Sequence, residues 1–443
     1  MSYKITFYSV ITTLALALVA VVSSAQPTPA PTQTGSVLIL GGTAHLGNGD
    51  KIEGAAIGFS DGKITFVGSE KSVKPADWDK VIDAKGKHVY PGFIAPNSTL
   101  GLMELGAVRA TRDYSETGTF KPNVRSVIAY NTDSEITPTV RSNGVLMGQI
   151  TPRSGVVSGS SSVVQFDAWN WEDAVIREDD GIHLNWPTVF HRHTEKGVTN
   201  LVMVKTYSQQ KREIESFFGE AKAYSALSTP EKRELKFEAM RGLYDGSKTL
   251  YVHADDVKEM TEALNFKKEL DIMKMVIVGG ADSWMIADML RDNKIPVMIR
   301  RVHSVPRATD EDVDLPFKLA KLLQDEGVLF CFENEGDMEQ MQTRNLPFYA
   351  GTSVAYGLNY EHAVQALSLN TAKILGIDSF CGSIEVGKDA TLFISEGDAL
   401  DMRTNDVGHA WIQGREIDLD NRQKELYRKY KAKYDSQSAI KPE

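Results

Sequence analysis

Only two cysteines, Cys331 and Cys381, occur in the 443 residues. Two cannot make a disulfide framework, and sequence alone does not show that they meet. Cys331 lies in Val-Leu-Phe-Cys-Phe, a strand-like apolar run, so both read as small buried residues. Several catalytic signatures are also missing. There is no Gly-x-Ser-x-Gly elbow, no Walker loop and no His-Glu-x-x-His, which removes the commonest serine-hydrolase, nucleotide and zinc-protease readings. No basic stripe is present, and a formal charge of −10 argues against a general nucleic-acid binder. At 42% hydrophobic and 24% charged, the chain is otherwise ordinary for a globular protein of one large and one smaller domain.

Apolar residues are concentrated at the N-terminus. Lys4 precedes an almost unbroken run from Ile5 to Val22, and Ser23-Ser24-Ala25 offers small residues for cleavage. This pattern predicts an exported chain, periplasmic or secreted, with a signal peptide over 1–25. The run is near the membrane-spanning minimum of about 18 residues. The cleavage site and the Pro/Thr linker over 26–35 favour removal over a stable membrane anchor.

Short β runs follow at Ser36–Leu40, Gly54–Phe59, Lys63–Val67 and Lys80–Asp83, with Asp61-Gly62 as a hairpin turn. A similar texture returns at 382–416. In between, apolar strands alternate with helices: Gly144–Ile150, then helix over 211–244, Leu250–His253, helix over 256–264, Met275–Gly279, helix over 283–292, Pro296–Ile299, helix over 316–324, Val328–Phe332, and a closing helix over 361–375. Strand–helix units at this spacing predict an α/β fold, a parallel (β/α)8 TIM-type barrel. Residues 101–200 break the pattern and read as long loops on the catalytic face, with the Gly/Ser run over 158–162 able either to cradle an anion or to be plain surface loop.

Everything is arranged around Val-Tyr-Pro-Gly-Phe-Ile-Ala-Pro-Asn-Ser-Thr over 89–99. Pro91, Gly92, Phe93 and Ile94 resemble the first-strand signature Pro-Gly-Phe-Ile-Asp-x-His-x-His of the amidohydrolase superfamily, in its imidazolonepropionase-like branch. A second match comes near the end, where Gly382, Ile384, Gly387, Lys388, Ala390 and Leu392 follow the family's Gly-x-Ile-x-x-Gly-Lys-x-Ala-Asp-Leu, with Thr391 for the usual Asp. The resemblance implies a barrel over 91–381 and a small composite β-sandwich from 36–90 and 382–416, leaving 417–443 as a C-terminal helix or tail.

The metal half of the signature is altered. The family implies His-x-His on the first strand, often a carboxylated Lys, His on the fifth and sixth strands, and Asp on the eighth. Here the first pair is Asn97 and Thr99, the sixth-strand position is Gly279, and the Lys has no firm counterpart beyond Lys205. An amide, a hydroxyl and a glycine are poor zinc ligands. His253 holds the fifth-strand position, and Glu335 falls about where the Asp belongs, with Asn334 equally placed. His253 and Glu335 are therefore the candidate catalytic and metal-binding residues, and Asn97, Thr99 and Gly279 the candidate pocket residues. His191 and His193, a second His-x-His, offer a relocated metal site. The other histidines, His183 among them, have no ligand-like company in the sequence.

These residues predict an amidohydrolase fold with a degenerate metal centre, holding at most one divalent ion such as zinc. It would bind a small-molecule ligand or support a related active amidohydrolase as partner. The competing expectation is an active hydrolase of non-peptide C–N bonds, such as cyclic amides, working from a minimal or relocated site. The exported chain is expected to begin at Gln26; N-terminal sequencing that returns Met1 from exported material would refute the leader.

Overall fold

The computed structural model describes residues 28–438 except 196–197, 308–309 and 337, with the backbone alone at 192–195, 198–201 and 437–438. The expected signal peptide and its cleavage point lie outside the described residues.

Both chain ends build one eight-stranded sheet. Its N-terminal members are β1 (Val37–His45), β2 (Lys51–Ser60), β3 (Lys63–Ser69), β4 (Lys80–Asp83) and β5 (His88–Pro91). The turn between β2 and β3 is Asp61-Gly62, both at positive φ, as a tight two-residue hairpin requires. Strand β1 is shared. Its first half pairs with β4 and its second half with β5, and the register shifts at Gly42. The sheet folds over there and encloses a core of Ile39, Ile57, Phe59, Leu392 and Trp411.

The barrel begins one residue after β5. Gly92 separates it from β6 (Phe93–Ser98), and a Cβ at Gly92 would meet Thr391 Cγ2 at 2.9 Å and Leu146 at 3.0 Å. The other barrel strands are β7 (Val145–Ile150), β8 (Val157–Gln165), β9 (Val175–Asn185), β12 (Thr249–Ala254), β13 (Met275–Gly279), β14 (Val297–Ile299) and β15 (Phe330–Phe332). A hairpin, β10 (Phe190–Glu195) and β11 (Val198–Met203), is inserted after β9. The order runs β15-β14-β13-β12-β9-β8-β7-β6, all parallel except β8. The sheet curls into a nearly closed barrel.

Strand periodicity sorts the residues into two layers. Phe93, Leu146, Val164, Ile182, Leu250, Val252, Ile277 and Phe330 pack in the main cluster with the surrounding helices. Ile94, Met147, Val163, Tyr251, Val276, Val278, Met298 and Cys331 form the interior cluster. Helix Leu369–Leu375 and the turn to Cys381 join that cluster and plug one end. Both cysteines are buried free thiols.

The chain then returns to the first sheet as β16 (Leu392–Ser395), β17 (Val407–Ile412) and β18 (Arg415–Glu416), with β16 antiparallel to β5. Phe393 of β16 packs against Tyr90 and Phe93, at ring distances of 5.3 and 5.0 Å.

Residues 101–200 depart from the loop expectation. The Gly/Ser run lies within β8, whose nine residues are all buried. Its serines are tolerated inside because their hydroxyls find buried partners: Ser160 donates to Pro122 O and Ser161 to Asp180. An anion-cradling loop is thereby replaced by a barrel strand. Only 28–35 of the linker are described, and Arg415 ties its Ala30 to the body.

Removing the sandwich would uncover Phe93, which packs against Tyr90 and Phe393. A fragment of residues 91–381 is expected to be poorly soluble and to lack a cooperative unfolding transition, checked by differential scanning calorimetry; a soluble, cooperative fragment would contradict the composite domain.

Candidate functional site

Above the apolar interior layer, one two-residue step toward the strand ends, the side chains turn polar. Met147 is followed by Gln149, Val163 is preceded by Ser161 on the reversed strand, Tyr251 is followed by His253, and Cys331 by Glu333. These groups, joined by Asp180 and His183 of β9 and Asn97 of β6, form one hydrogen-bonded cluster.

Asp180 anchors it. This buried carboxyl accepts from Tyr251 Oη at 2.6 Å, Gln149 Nε2 at 2.7 Å and Ser161 Oγ at 2.8 Å. Burial raises its pKa, and the three donors oppose the rise. Gln149 Oε1 accepts from the Asn97 backbone N–H at 3.0 Å, which fixes the orientation of the amide. Asn97 itself has φ +50, a left-handed conformation that Asn tolerates, at a break in the β6–β7 register.

The direction of each hydrogen bond follows from the donor inventory. Ser161 gives its one hydroxyl proton to Asp180, so it accepts from His183 Nε2, 3.1 Å away. Burial, then the His253 and Arg153 charges, push the His183 pKa well below its usual value, which leaves Nδ1 bare. His253 Nε2, 2.9 Å from that nitrogen, therefore donates to it. On its other side His253 Nδ1 is 3.1 Å from Glu335 Oε2. Burial works to raise the Glu335 pKa, but the Arg153 and His253 charges and the bonds from His253 and Asn97 hold it well below the usual carboxylate range. Nδ1 thus faces an ionised carboxylate.

Asn97 and Arg153 complete the floor. Asn97 Nδ2 donates to Glu335 Oε2 at 2.8 Å and Glu333 Oε2 at 3.2 Å. Arg153 donates to Asn97 Oδ1 at 2.9 Å and to its backbone O at 2.8 Å, and it pairs with Glu339 at 3.1 Å. Glu333 is buried and accepts from the Glu335 backbone N–H. Burial, then the charge of Glu335, push its pKa up to about 8, so near neutral pH it is an acid rather than a carboxylate. Solvent reaches this floor mainly at Glu335, whose side chain is 39% exposed, with His253 and Arg153 at 13% and 15%.

The sequence candidates fall in different places. His253, Glu335 and Asn97 meet. Asn334, the other eighth-strand choice, is tied to Tyr349 Oη at 2.7 Å and Glu339 O at 2.6 Å, outside the cluster. Thr99 is buried, with its hydroxyl lacking a hydrogen-bond partner among the described residues. Gly279 has φ +97, and a Cβ there would meet Asp255 Oδ1 at 2.8 Å. Asp255, held by Arg300 at 2.6 Å, takes the space a sixth-strand imidazole would need. His191 is exposed on the β10–β11 hairpin, outside the cluster. The side chain of His193 lies outside the described residues. Lys205 is exposed in a turn after β11, off the barrel strands.

Sequence reasoning missed His183, Asp180, Ser161, Gln149, Arg153 and Glu333. His183 is the plain correction, since His253 is its direct partner. A signal existed in Gly-Ile-His-Leu over 181–184, where Ile182 and Leu184 alternate about the histidine as in a half-buried strand. His45 and His88 are likewise paired, 3.0 Å apart, with Glu361 at 2.8 Å from His45.

Residues 243–417 match the model of the amidohydrolase family. An amidohydrolase from Thermotoga maritima MSB8 is similar in structure, at TM-score 0.73 and 25% identity, over 86% of this chain and 99% of that one. A molinate hydrolase is similar at TM-score 0.51 and 15% identity, over 87% and 95% of the two chains. An ochratoxinase from A. niger is similar at TM-score 0.51 and 13% identity, over 86% and 95%. The last two likenesses concern the fold alone. No match was found among curated proteins.

The buried acid gives a pH prediction. A carboxyl whose folded pKa is raised binds more protons folded than unfolded between the two pKa values, so it lowers stability as pH rises from about 4.5 toward 8. The ceiling on that slope is about 1.4 kcal/mol per pH unit. Glu333→Gln mimics the neutral acid. Its midpoint of thermal unfolding is expected to gain on the wild type as pH goes from 5 to 8, and parallel curves would refute the assignment.

Proposed function

Because this chain belongs to the amidohydrolase superfamily, we propose that it keeps the barrel as a binding scaffold and has given up the metal-assisted chemistry. The observation that carries this reading is the thin ligand set: His253 is the one imidazole kept at the family's metal positions, while Asn97, Thr99 and Gly279 stand at three others. His253 is itself enclosed between His183 at 2.9 Å and Glu335 at 3.1 Å. The other donors fit a metal no better. Asn97 offers an amide whose oxygen already accepts from Arg153, and Asp255 crowds the space over Gly279. The Arg153 guanidinium adds a resident positive charge beside Glu335. Among the described residues no three His, Cys, Asp or Glu side chains converge as ligands.

Each residue then has a binding role. Glu335 presents a carboxylate at the mouth, held in place by His253 and Asn97. Its Oε2 is already engaged twice, so a ligand N–H or O–H would be taken by Oε1. Glu333 stands behind as a neutral acid, and Arg153 locks Asn97. The ligand is a small polar molecule with a donor aimed at Glu335, and the protein acts from outside the cytoplasm, alone or beside a related active amidohydrolase.

The runner-up is an active hydrolase of non-peptide C–N bonds with a minimal site. It draws on one observation, the solvent-reachable Glu335–His253 pair, which has the residue types of an acid–base couple. Elemental analysis of protein purified from its native compartment separates the two. The expected result is at most one sub-stoichiometric metal per chain, with no chelator-sensitive hydrolysis of cyclic amides. Two tightly bound metals, or chelator-sensitive hydrolysis abolished by His253→Ala, would replace the binding reading with the hydrolase.

A further inference from the structure

The outer face of the sandwich carries a groove that its core does not use. Strand β3 is the edge of the sheet, and the segment over 70–79 passes beside it. Phe66 of β3 pairs across the ladder with Gly58 of β2. A side chain at Gly58 would run into the Trp78 ring, so Trp78 sits on bare strand backbone next to Phe66. A Cβ at Gly68 would likewise meet the Phe66 ring at 3.0 Å. Both rings are half-buried, and neither belongs to a hydrophobic cluster of the sandwich or the barrel.

Between the rings and the segment over 72–77 lies about 900 Å³ of open space, within the size range of small-ligand sites. Around it stand the hydroxyls of Ser60, Thr65 and Ser72 and the charges of Lys74 and Asp77. None of these five side chains has a hydrogen-bond or ion-pair partner among the described residues. All the residues that line the groove, and their chain neighbours, are described.

The lining selects the ligand class. Lys74 and Asp77 carry opposite charges, so the groove has no net charge with which to hold an ion. A wholly apolar ligand would desolvate three hydroxyls and two charges without pairing them. A saccharide matches both halves of the lining. Its C–H face lies on aromatic rings, and its hydroxyls donate and accept toward Ser, Thr, Lys and Asp side chains. The groove is also remote from the mouth. The chain enters β6 from the sandwich at the N-terminal end of that strand, whereas His253 and Glu335 stand at the C-terminal ends of their strands.

We propose that the groove between Phe66, Trp78 and the segment over 72–77 binds a neutral saccharide, tying the protein to a glycan while the barrel mouth stays open to its own ligand. Phe66 and Trp78 supply the stacking floor. Asp77 accepts from sugar hydroxyls, and Lys74 donates to one. None of this depends on what the mouth binds.

Isothermal titration of the full mature chain with maltotriose, cellotriose and chitotriose tests this. At least one of the three is expected to bind, one molecule per chain, with a dissociation constant on the order of 1 mM. Trp78→Ala, and separately Asp77→Ala, should each weaken that binding by about tenfold or more. Asp77 is exposed, so its variant should keep the wild-type thermal midpoint and carries the test even where Trp78→Ala fails to fold. Glu335→Gln at the mouth should leave the affinity within about twofold, as expected for distant sites. Failure of all three sugars to bind at about 10 mM overturns the proposal. So does binding that is indifferent to both groove variants, or binding lost in Glu335→Gln, which would put the sugar in the barrel.

Discussion

The buried carboxylate of Asp180 is the fixed point from which the site is built. Three donors converge on it from three other strands, Gln149 from β7, Ser161 from β8 and Tyr251 from β12. Satisfying one buried carboxyl thereby sets the hydroxyl of Ser161, the tautomer of His183 and the placement of His253 against Glu335 at the mouth. A buried network is costly when one member is unpaired and rigid when all are paired. Here each link spends the proton that the next link would otherwise contest.

The network also explains why β8 runs backwards without damage. Its inward positions carry Ser161 and Val163, small enough to pass beside Tyr251 and polar where the layer requires it. Gly181, opposite on β9, is the matching concession. A Cβ there would stand 2.3 Å from the Tyr251 ring and 2.4 Å from Thr249 O. The aromatic ring needs that vacancy to reach Asp180.

Most of the fold was legible in the sequence, because strand–helix alternation and the two end motifs follow local periodicity. The turn at Asp61-Gly62, the strands at β12 and β13 and the pairing of both chain ends all carry such signals. The third and fourth barrel positions did not read well. Strand β8 is rich in Gly and Ser, residues that mark loops when nothing says they are buried, and most of β9 is charged before its apolar end. The site was legible only at His253, Glu335 and Asn97, which sit at expected strand ends. His183 stayed hidden because its company is spatial: its partners are 22 residues back and 70 residues ahead.

The single residue between β5 and β6 has a mechanical consequence. Gly92 donates to Thr391 O at 2.9 Å and is walled by Thr391 and Leu146, so the crossing from sandwich to barrel has neither slack nor room. The return crossing is pinned by Ile384 N–H donating to Leu46 O at 2.9 Å and Asp389 N–H to Phe380 O at 2.8 Å. Hinge motion concentrates in a few backbone torsions free to change, and neither crossing offers them. Whatever opens or closes this barrel must be carried by the segments at its mouth, with the sandwich riding as a rigid keel.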